Sequence, residues 1–394
     1  MNLPMEGFKV LELSRTLAGP YATMLLADMG AEVIKVEQPN TGDESRRFVP
    51  PKWNEESCYY LSANRNKKGI TLDLKSEEGV AIVKQLVKES DVLVENFRTG
   101  TMEKLGLGYE VLKEINPRLI FCAISGFGRT GPEKNRAGYD VLMQGFGGLM
   151  SITGDEDHPV KAGMSIADLT TGIFAAFSIS SALHGVKQTG KGQYLDVSLL
   201  DGQVALLNHM ATGFYADGTY PKRMGTAHGT LVPYQAFKAA DREVILAVAN
   251  DGLWKKLCLG LEWDDLLKNE KYRYNYDRVK YRTELVDILS ERIAQMESIE
   301  ILEKLEKVGV PCGPIQNIEE VLTHPQVIAR EMMMDVKHPN IPNLKVPAFP
   351  VKFSETQTTA RYHPPLLGEH NNQVLQELGY SEEDIEELKN KNII

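Results

Sequence analysis

The sequence predicts an α/β protein with a Rossmann-like large domain, built on a parallel sheet, and a smaller α+β domain. The chain has 394 residues, strands alternate with helices in its first half, and a hairpin followed by helices occupies its second half. We expect the large domain to comprise residues 1–215 with 335–394 and the small domain to comprise residues 225–330. Linkers are expected at residues 216–224 and at about 331–345.

Apolar runs bounded by turn residues predict the strands of the large sheet at residues 8–13, 32–37, 70–74, 92–95, 119–124 and 193–198. Apolar residues from Ala18 to Met29 fall on one helical face after the first strand, and Gly30 stands where that helix should end. Ser76 is placed to cap the helix after the third strand. Strands that alternate with helices in this way indicate a parallel sheet covered by helices on both faces.

The smaller domain has a different pattern. Residues 234–238 and 244–249 flank a short polar turn, which predicts an antiparallel hairpin. Apolar residues at helical spacing predict two helices further on, at about 283–296 and 299–307.

Composition narrows the functional classes. The net charge of −10 argues against a nucleic-acid-binding surface, although a small anionic ligand remains compatible with it. No continuous apolar run reaches the length of a membrane helix, and the amino terminus lacks a secretory pattern. The cysteines are too widely spaced for a metal site or a disulfide framework: Cys58, Cys122, Cys258 and Cys312. We therefore expect a cytoplasmic protein without membrane or nucleic-acid partners.

Three features of the large domain leave alternatives open. A dehydrogenase would need a glycine-rich turn after the first strand, but residues 14–20 read SRTLAGP, and Glu37 at the second strand end is equally typical of an exposed acid. The loop 125–132, SGFGRTGP, fits either a ligand-binding loop or a tight surface turn. Asp168 precedes a helix of small residues, where an aspartate is either a helix cap or a nucleophile.

Seven short motifs resemble the class III CoA-transferases, the family that includes formyl-CoA transferase and carnitine CoA-transferase. They are LELSRTLAGP at 11–20, GAEVIKVE at 30–37, VENF at 94–97, AGYD at 137–140, GMSIAD at 163–168, GPI at 313–315 and PPLLGEH at 364–370. Their order and spacing make the resemblance specific, and it covers the whole chain. Residues 59–68, 222–229 and 232–238 are most similar to the succinate–hydroxymethylglutarate branch.

By this resemblance Asp168 is the nucleophile. Its carboxylate would attack an acyl-CoA thioester to form a mixed anhydride, and the CoA thiolate would then convert the anhydride to an aspartyl-CoA thioester. Backbone donors at the start of the helix near Asp168 would stabilise the oxyanions. The substrates implied are an acyl-CoA donor and a carboxylate acceptor, with no metal and no permanently bound cofactor.

The resemblance also implies two sets of binding residues. The CoA-binding set is Arg15, Leu17, Ala18, Gln38, Leu72, Asp73, Leu74, Lys75, Asn96, Phe97, Arg98 and Lys104. The set that would position the substrate is Ala137, Gly138, Tyr139, Asp140, His228, Gly229, Arg46, Arg47 and Arg223. In this second set, His228 and the three arginines are candidates to bind a distal substrate carboxylate.

Some positions depart from the formyl-CoA transferase pattern. Gln38 replaces an arginine, Leu17 replaces a glutamine, and residues 227–230, AHGT, replace a run of glycines. These differences argue against formate and oxalate and favour a dicarboxylyl-CoA such as succinyl-CoA.

Two alternative functions that also involve CoA remain open, and the resemblance further implies an oligomeric state. A 2-methylacyl-CoA racemase would carry a histidine at the position of Tyr139, and tyrosine lacks the near-neutral titration that such a base needs. A non-catalytic CoA-binding protein would not need Asp168. Members of the family form interlocked homodimers, so we expect one here.

Overall fold

The computed structural model describes residues 3–394, and a six-stranded sheet organises the first half of the chain. The first eight strands are β1 (Lys9–Glu12), β2 (Glu32–Glu37), β3 (Lys52–Trp53), β4 (Glu56–Ser57), β5 (Lys67–Thr71), β6 (Val92–Glu95), β7 (Ile120–Ser125) and β8 (Tyr194–Ser198). The large sheet has the order β5-β2-β1-β6-β7-β8 and all its pairs are parallel. When only the six strands of this sheet are numbered along the chain, the order becomes 3-2-1-4-5-6, as in doubly wound folds. The predicted parallel sheet is confirmed.

The α-helices that accompany these strands in the described part of the chain are α1 (Ala18–Asp28), α2 (Cys58–Ala63), α3 (Glu77–Glu89), α4 (Thr101–Lys104), α5 (Tyr109–Ile115), α6 (Asp140–Phe146), α7 (Leu149–Ile152), α8 (Ile166–Thr189) and α9 (Leu199–Asp217). Gly30 follows α1 with φ of 114°, a conformation that favours glycine. The Ser76 hydroxyl accepts a hydrogen bond from Gly79 N and caps α3. Both predicted helix signals are confirmed.

The sheet is covered on both faces, because adjacent strand residues point to opposite sides. Val10 of β1 and Val94 of β6 pack with α1 and α8 in one core. Leu11 and Leu93, their neighbours in sequence, pack with α3 in a second core.

Helix α8 is the helix of small residues predicted near Asp168, and it begins two residues before Asp168 rather than after it. Within residues 3–394 it is the one helix that is long and apolar enough to cross a membrane, by length and composition alone. One side of it, including Ala175 and Ile179, is buried in the core that also contains α1. A Cβ added at Gly172 would lie 2.8 Å from Ala18 O, so the two helices meet at a glycine. These contacts account for the small and apolar composition of α8 as that of a core helix.

A buried ion network lies beneath the carboxyl end of β1. Lys35 Nζ is 3.0 Å from Glu12 Oε1 and 2.9 Å from Asp43 Oδ2, and Lys67 Nζ is 2.9 Å from Glu12 Oε2. The side chains of Lys35, Lys67, Glu12 and Asp43 are fully or almost fully buried. Strand β5 consequently begins three residues before the predicted start at residue 70, because the Lys67 charge is neutralised inside the sheet.

The second part of the chain contains β9 (Tyr234–Lys238), β10 (Glu243–Ala247), α10 (Asp251–Gly260), α11 (Asp264–Lys268), α12 (Asn275–Lys280), α13 (Arg282–Ile293), α14 (Ser298–Lys307), β11 (Cys312–Pro314) and α15 (Ile318–Thr323). Strands β9 and β10 form the predicted antiparallel hairpin, and β11 extends it to three strands in the order β11-β10-β9. Helices α13 and α14 correspond to the two predicted helices. Trp254 and Tyr272 are buried in the core of this part.

The remaining elements are α16 (Pro325–Ala329), β12 (Met333–Val336), β13 (Leu344–Pro347), α17 (Asn371–Glu377) and α18 (Glu382–Asn390). Residues 331–345, expected as a linker, instead hold β12 and the start of β13, which pair antiparallel. This pair forms because Val336 and Leu344 are buried in a small core with Leu61.

The backbone divides into two compact units. One runs to Leu149 and continues with Ala162–Asn208 and Pro325–Ile394, and the other comprises Met150–Lys161 and His209–His324. Helix α9 crosses this division at Asn208, whose φ of 45° and ψ of −121° interrupt the helical backbone. The assignment of residues 1–215 and 225–330 to folding domains stays a prediction.

Candidate active site

A cavity lies at the carboxyl ends of β1, β6 and β7, where the strand order of the sheet reverses. This is the position at which open α/β sheets bind ligands. The predicted residues that line the cavity are Arg15, Leu17, Ala18, Asn96, Phe97, Arg98, Ala137, Gly138, Tyr139 and Asp168. Segments far apart in sequence are thus brought together around one space.

A second cavity shares Arg15 and Phe97 with the first. Its other predicted residues are Gln38, Leu72, Asp73, Leu74 and Lys75. Lys104 ends α4 with an exposed side chain and lines neither of these two cavities. The predicted CoA-binding set, apart from Lys104, therefore surrounds two neighbouring cavities with a common wall.

The loop after β1 is held from two sides. The Asn96 side chain accepts from Arg15 N at 2.9 Å and donates to Arg15 O at 2.7 Å, which ties the ends of β1 and β6 together. Thr16 has φ of 71°, a strained value for a β-branched residue, and Thr16 N donates to Asp43 Oδ1 at 3.0 Å. Strain held in this way occurs at functional sites, and here it presents Leu17 to the cavity.

Asp168 stands in the first turn of α8 and lines the first cavity. Burial, together with the nearby negative charge of Asp140, raises the pKa of its carboxyl group to about 7. Neither cause involves a cation. Perturbed acids in cavities are typical of functional sites, so the geometry favours the nucleophile over the helix cap for Asp168.

Asp140 is the residue that caps α8. Its Oδ1 accepts from Ala167 N at 2.8 Å and from Asp168 N at 3.4 Å, and its Oδ2 accepts from Gln144 Nε2 at 2.7 Å. The donors at the start of α8 are therefore occupied, which corrects the expectation that they stabilise oxyanions. The start of α1 has no side-chain cap, and its residues Leu17 and Ala18 line the cavity with Asp168.

Two aromatic residues lie near Asp168. Tyr139 lines the cavity and is 66% exposed, whereas Tyr59 is partly buried and hydrogen-bonds with Ser165, the N-cap residue of α8. Burial is the main cause of a raised pKa at Tyr59, and the charges of Asp168 and Asp140 add to it. Tyr59 was not predicted as a site residue. It appeared only within the motif at residues 59–68, and nothing in the neighbouring sequence indicated a role near Asp168.

The loop 125–132 contributes to the cavity through Ser125 and Gly126, which favours a ligand-binding loop over a simple turn. Arg129 anchors this loop, with its Nη2 2.6 Å from Glu95 Oε1 at the end of β6. Burial nevertheless raises the pKa of Glu95 to about 7. A Cβ added at Gly126 would lie 2.7 Å from Gly138 Cα, so the loop packs directly against residues 137–140.

The candidates for a distal carboxylate are not gathered in this cavity. Arg46 binds Glu37 through two hydrogen bonds of 2.7 Å and also donates to Tyr60 and to the Pro365 carbonyl, so it has a structural role and is unsuited to bind a substrate. Arg47 is exposed and lines neither cavity described above.

The other candidates belong to the second unit. Arg223 donates to the carbonyls of Asp155 and Glu156, and the His228 ring accepts from Thr230 N at 3.2 Å. Gly229 accepts from Arg282 through its carbonyl. The contribution of Arg223, His228 and Gly229 to substrate binding stays a prediction.

Other cavity residues were not predicted from the sequence: Thr16, Glu44, Thr99, Ile124, Lys134, Asn135, Arg136 and Leu199. Arg136 adjoins the AGYD motif, and that position is the signal that could have found it. Within residues 3–394 no group of three or more histidine, cysteine, aspartate or glutamate side chains could hold a metal ion.

Comparison with known proteins identifies the family of the chain. The profile of CoA-transferase family III matches residues 5–371. The chain belongs to CoA-transferase family III. The resemblance drawn from the sequence motifs is confirmed, and the protein is an enzyme of this class.

Two curated relatives and one solved structure are similar over nearly the whole chain. The human succinyl-CoA:glutarate CoA-transferase is 44% identical over 99% of this chain and 90% of its own length. The succinate–glutarate CoA-transferase of Agrobacterium fabrum is 42% identical, over 95% and 96% of the two chains. A crystal structure of a CaiB/BaiF family protein from Brucella suis is 41% identical with a TM-score of 0.87, and the match covers 96% of this chain and all of the other.

The raised pKa of Asp168 predicts a pH-dependent effect on stability. The folded pKa lies above the ordinary value of 3.8, so the folded state binds more protons and wild-type stability is lost as pH rises toward 7. Asp168→Asn does not titrate, so its unfolding free energy relative to wild type should increase by about 1–3 kcal/mol between pH 5 and pH 8. Denaturant titrations at the two pH values measure this, and a difference independent of pH would contradict it.

Proposed function

We propose that this family III CoA-transferase moves CoA from a dicarboxylyl-CoA, such as succinyl-CoA, to a second carboxylic acid through covalent intermediates on Asp168. The observation that carries the proposal is the position of Asp168, whose half-buried carboxylate lies in the cavity lined by predicted CoA-binding residues. The groups that shift its pKa do not include a cation. Relatives named for succinyl-CoA and glutarate support the dicarboxylate class.

In the first half of the reaction, Asp168 attacks the thioester carbonyl, the C–S bond breaks, and the CoA thiolate leaves a mixed anhydride. The thiolate then attacks the aspartyl carbonyl of the anhydride, which releases the donor acid and forms aspartyl-CoA. In the second half, the acceptor carboxylate attacks aspartyl-CoA and expels the thiolate, which attacks the acyl carbonyl of the new anhydride. Product acyl-CoA leaves and the Asp168 carboxylate is restored.

Each addition step places negative charge on a carbonyl oxygen. The uncapped start of α1 at Leu17 and Ala18 offers backbone N–H groups and the positive end of a helix in the same cavity. These donors replace those of α8, which Asp140 occupies. We assign oxyanion stabilisation to the start of α1.

The alternatives find less support. A racemase needs a base that titrates near neutrality beside its acid, and the cavity presents Tyr139 while Asp140 is engaged in capping α8. A dehydrogenase would use Glu37 for a ribose, but Arg46 already binds both of its oxygens. A non-catalytic CoA-binding protein has no need for the raised pKa of Asp168.

A panel of donors tests the function. Succinyl-CoA and glutaryl-CoA should exceed butyryl-CoA and formyl-CoA in kcat/KM, because a pocket that pairs a distal carboxylate discriminates by a few kcal/mol against donors without one. Mass spectrometry of the product acyl-CoA with several acceptor acids measures the exchange. Equal or better use of butyryl-CoA would refute the dicarboxylate assignment, and absence of any exchange would refute the transferase.

We also propose the interlocked homodimer and the cytoplasmic location. Apolar side chains on α6, α8 and α9 are exposed in the single chain, among them Val141, Ile173, Phe177 at 70% and Val204. A second copy would cover such a surface.

Interlocked chains cannot separate without unfolding, so sedimentation at nanomolar concentration should give the mass of two chains. A reversible monomer–dimer equilibrium would contradict the interlocking.

A further inference from the structure

Arg136 is held in the cavity of Asp168 by two aromatic rings. Its guanidinium carbon is 5.3 Å from the centre of the Phe127 ring and 5.4 Å from that of Phe146. The two rings meet edge to face at 5.2 Å. Its ion pair with Glu133, at 3.5 Å, joins two half-exposed side chains and contributes little to binding either of them.

A guanidinium is planar and holds five N–H donors in a fixed fork, which suits the bidentate geometry of a carboxylate. The rings contact it through their faces and accept no conventional hydrogen bond, so they leave these donors for a ligand. The rings also fix the side chain before a ligand arrives, so less conformational entropy is lost on binding. Arg136 is therefore preorganised for a planar anion.

Helix α6 connects this arginine to the nucleophile. Phe146, whose ring lies beside the Arg136 guanidinium, is the last residue of α6, and Asp140, which caps the helix of Asp168, is its first. Arg136 also lies three residues before Tyr139, another cavity residue. Arg136 therefore lines the same cavity as Asp168 and contacts the helix whose first residue caps α8.

The other cations of the cavity have different surroundings. Arg15 is paired with Glu44 at 3.2 Å and forms, with Phe97, the wall shared with the second cavity. Arg98 follows Phe97 directly, and the carbonyl of Lys134 accepts from Thr99 Oγ1 at 2.7 Å. These three lie toward the side that we assign to CoA.

We propose that Arg136 binds the distal carboxylate of the dicarboxylate substrate and so determines specificity. This role rests on the proposed dicarboxylate function and replaces Arg46 as a carboxylate-binding arginine. It requires no covalent step beyond those already described.

The test compares glutaryl-CoA with pentanoyl-CoA, which has the same chain length but no distal carboxylate. In a ping-pong reaction the donor kcat/KM depends on the first half-reaction alone, so one acceptor serves both donors. Arg136→Met should lower kcat/KM for glutaryl-CoA about a hundredfold and for pentanoyl-CoA less than about threefold. Arg136→Lys should recover about a tenth of the lost activity, because an ammonium supplies charge without the bidentate fork.

Lys134→Met is the matched control, since it removes one positive charge from the same cavity. Lys134→Met should lower kcat/KM for glutaryl-CoA and for pentanoyl-CoA in the same proportion, so the ratio of the two values should stay unchanged. Suppose that the wild type prefers glutaryl-CoA. The proposal is then overturned if Arg136→Met lowers kcat/KM equally for both donors, or lowers it for neither. If wild type shows no such preference, the dicarboxylate function itself fails and the role of Arg136 falls with it.

Discussion

The buried network of Glu12, Lys35, Asp43 and Lys67 is the constraint on which the site depends. Two acids and two lysines share a space without solvent, and removing one member of such a group typically costs about 3–5 kcal/mol because another charge is left unpaired. Burial alone would raise the pKa values of Glu12 and Asp43, but the neighbouring lysines and the hydrogen bonds outweigh it, so both pKa values lie below their usual range. Burial and the neighbouring Lys35 lower the pKa of Lys67 to about 8, while Glu12 opposes this.

This network shapes the cavity through Asp43. The same carboxylate that binds Lys35 accepts from Thr16 N and from Ser45 N, so it holds the strained loop after β1 and caps the 3-10 helix Glu44–Arg47. Leu17, Ala18 and Glu44 line the cavity from these two segments. Asp168 is in the opposite electrostatic situation, since burial and Asp140 both disfavour its charge. A carboxylate that is poorly solvated in the ground state requires less desolvation when it attacks a thioester.

Local patterns predicted the fold well, because strand burial and helix caps depend on residues close in sequence. Ser76, Gly30 and the hairpin of β9 and β10 show this. The start of β5 could not be read from the sequence, because Lys67 looks like a surface residue until Glu12 is placed beside it. The pair β12 and β13 was missed for a similar reason, since its core partner Leu61 lies far away in the chain.

The site was predicted in part. Motifs located Asp168 and the residues at the strand ends, but local chemistry alone left Asp168 open between a cap and a nucleophile, and in the structure Asp140 does the capping. Arg46 and Arg47 are adjacent in sequence, yet only the structure shows that Arg46 is already hydrogen-bonded to Glu37. Arg136 acquires its role from two rings that the sequence separates, Phe127 and Phe146.

The central claim is that Asp168 becomes covalently acylated and then carries CoA. The most direct measurement is borohydride reduction of the enzyme during incubation with succinyl-CoA, followed by peptide mass spectrometry. Reduction of an aspartyl thioester or anhydride gives the alcohol homoserine, so the account predicts that Asp168 alone is converted, and only when the acyl-CoA is present. An unmodified Asp168 in an enzyme that is turning over, or conversion of another acid instead, would contradict it.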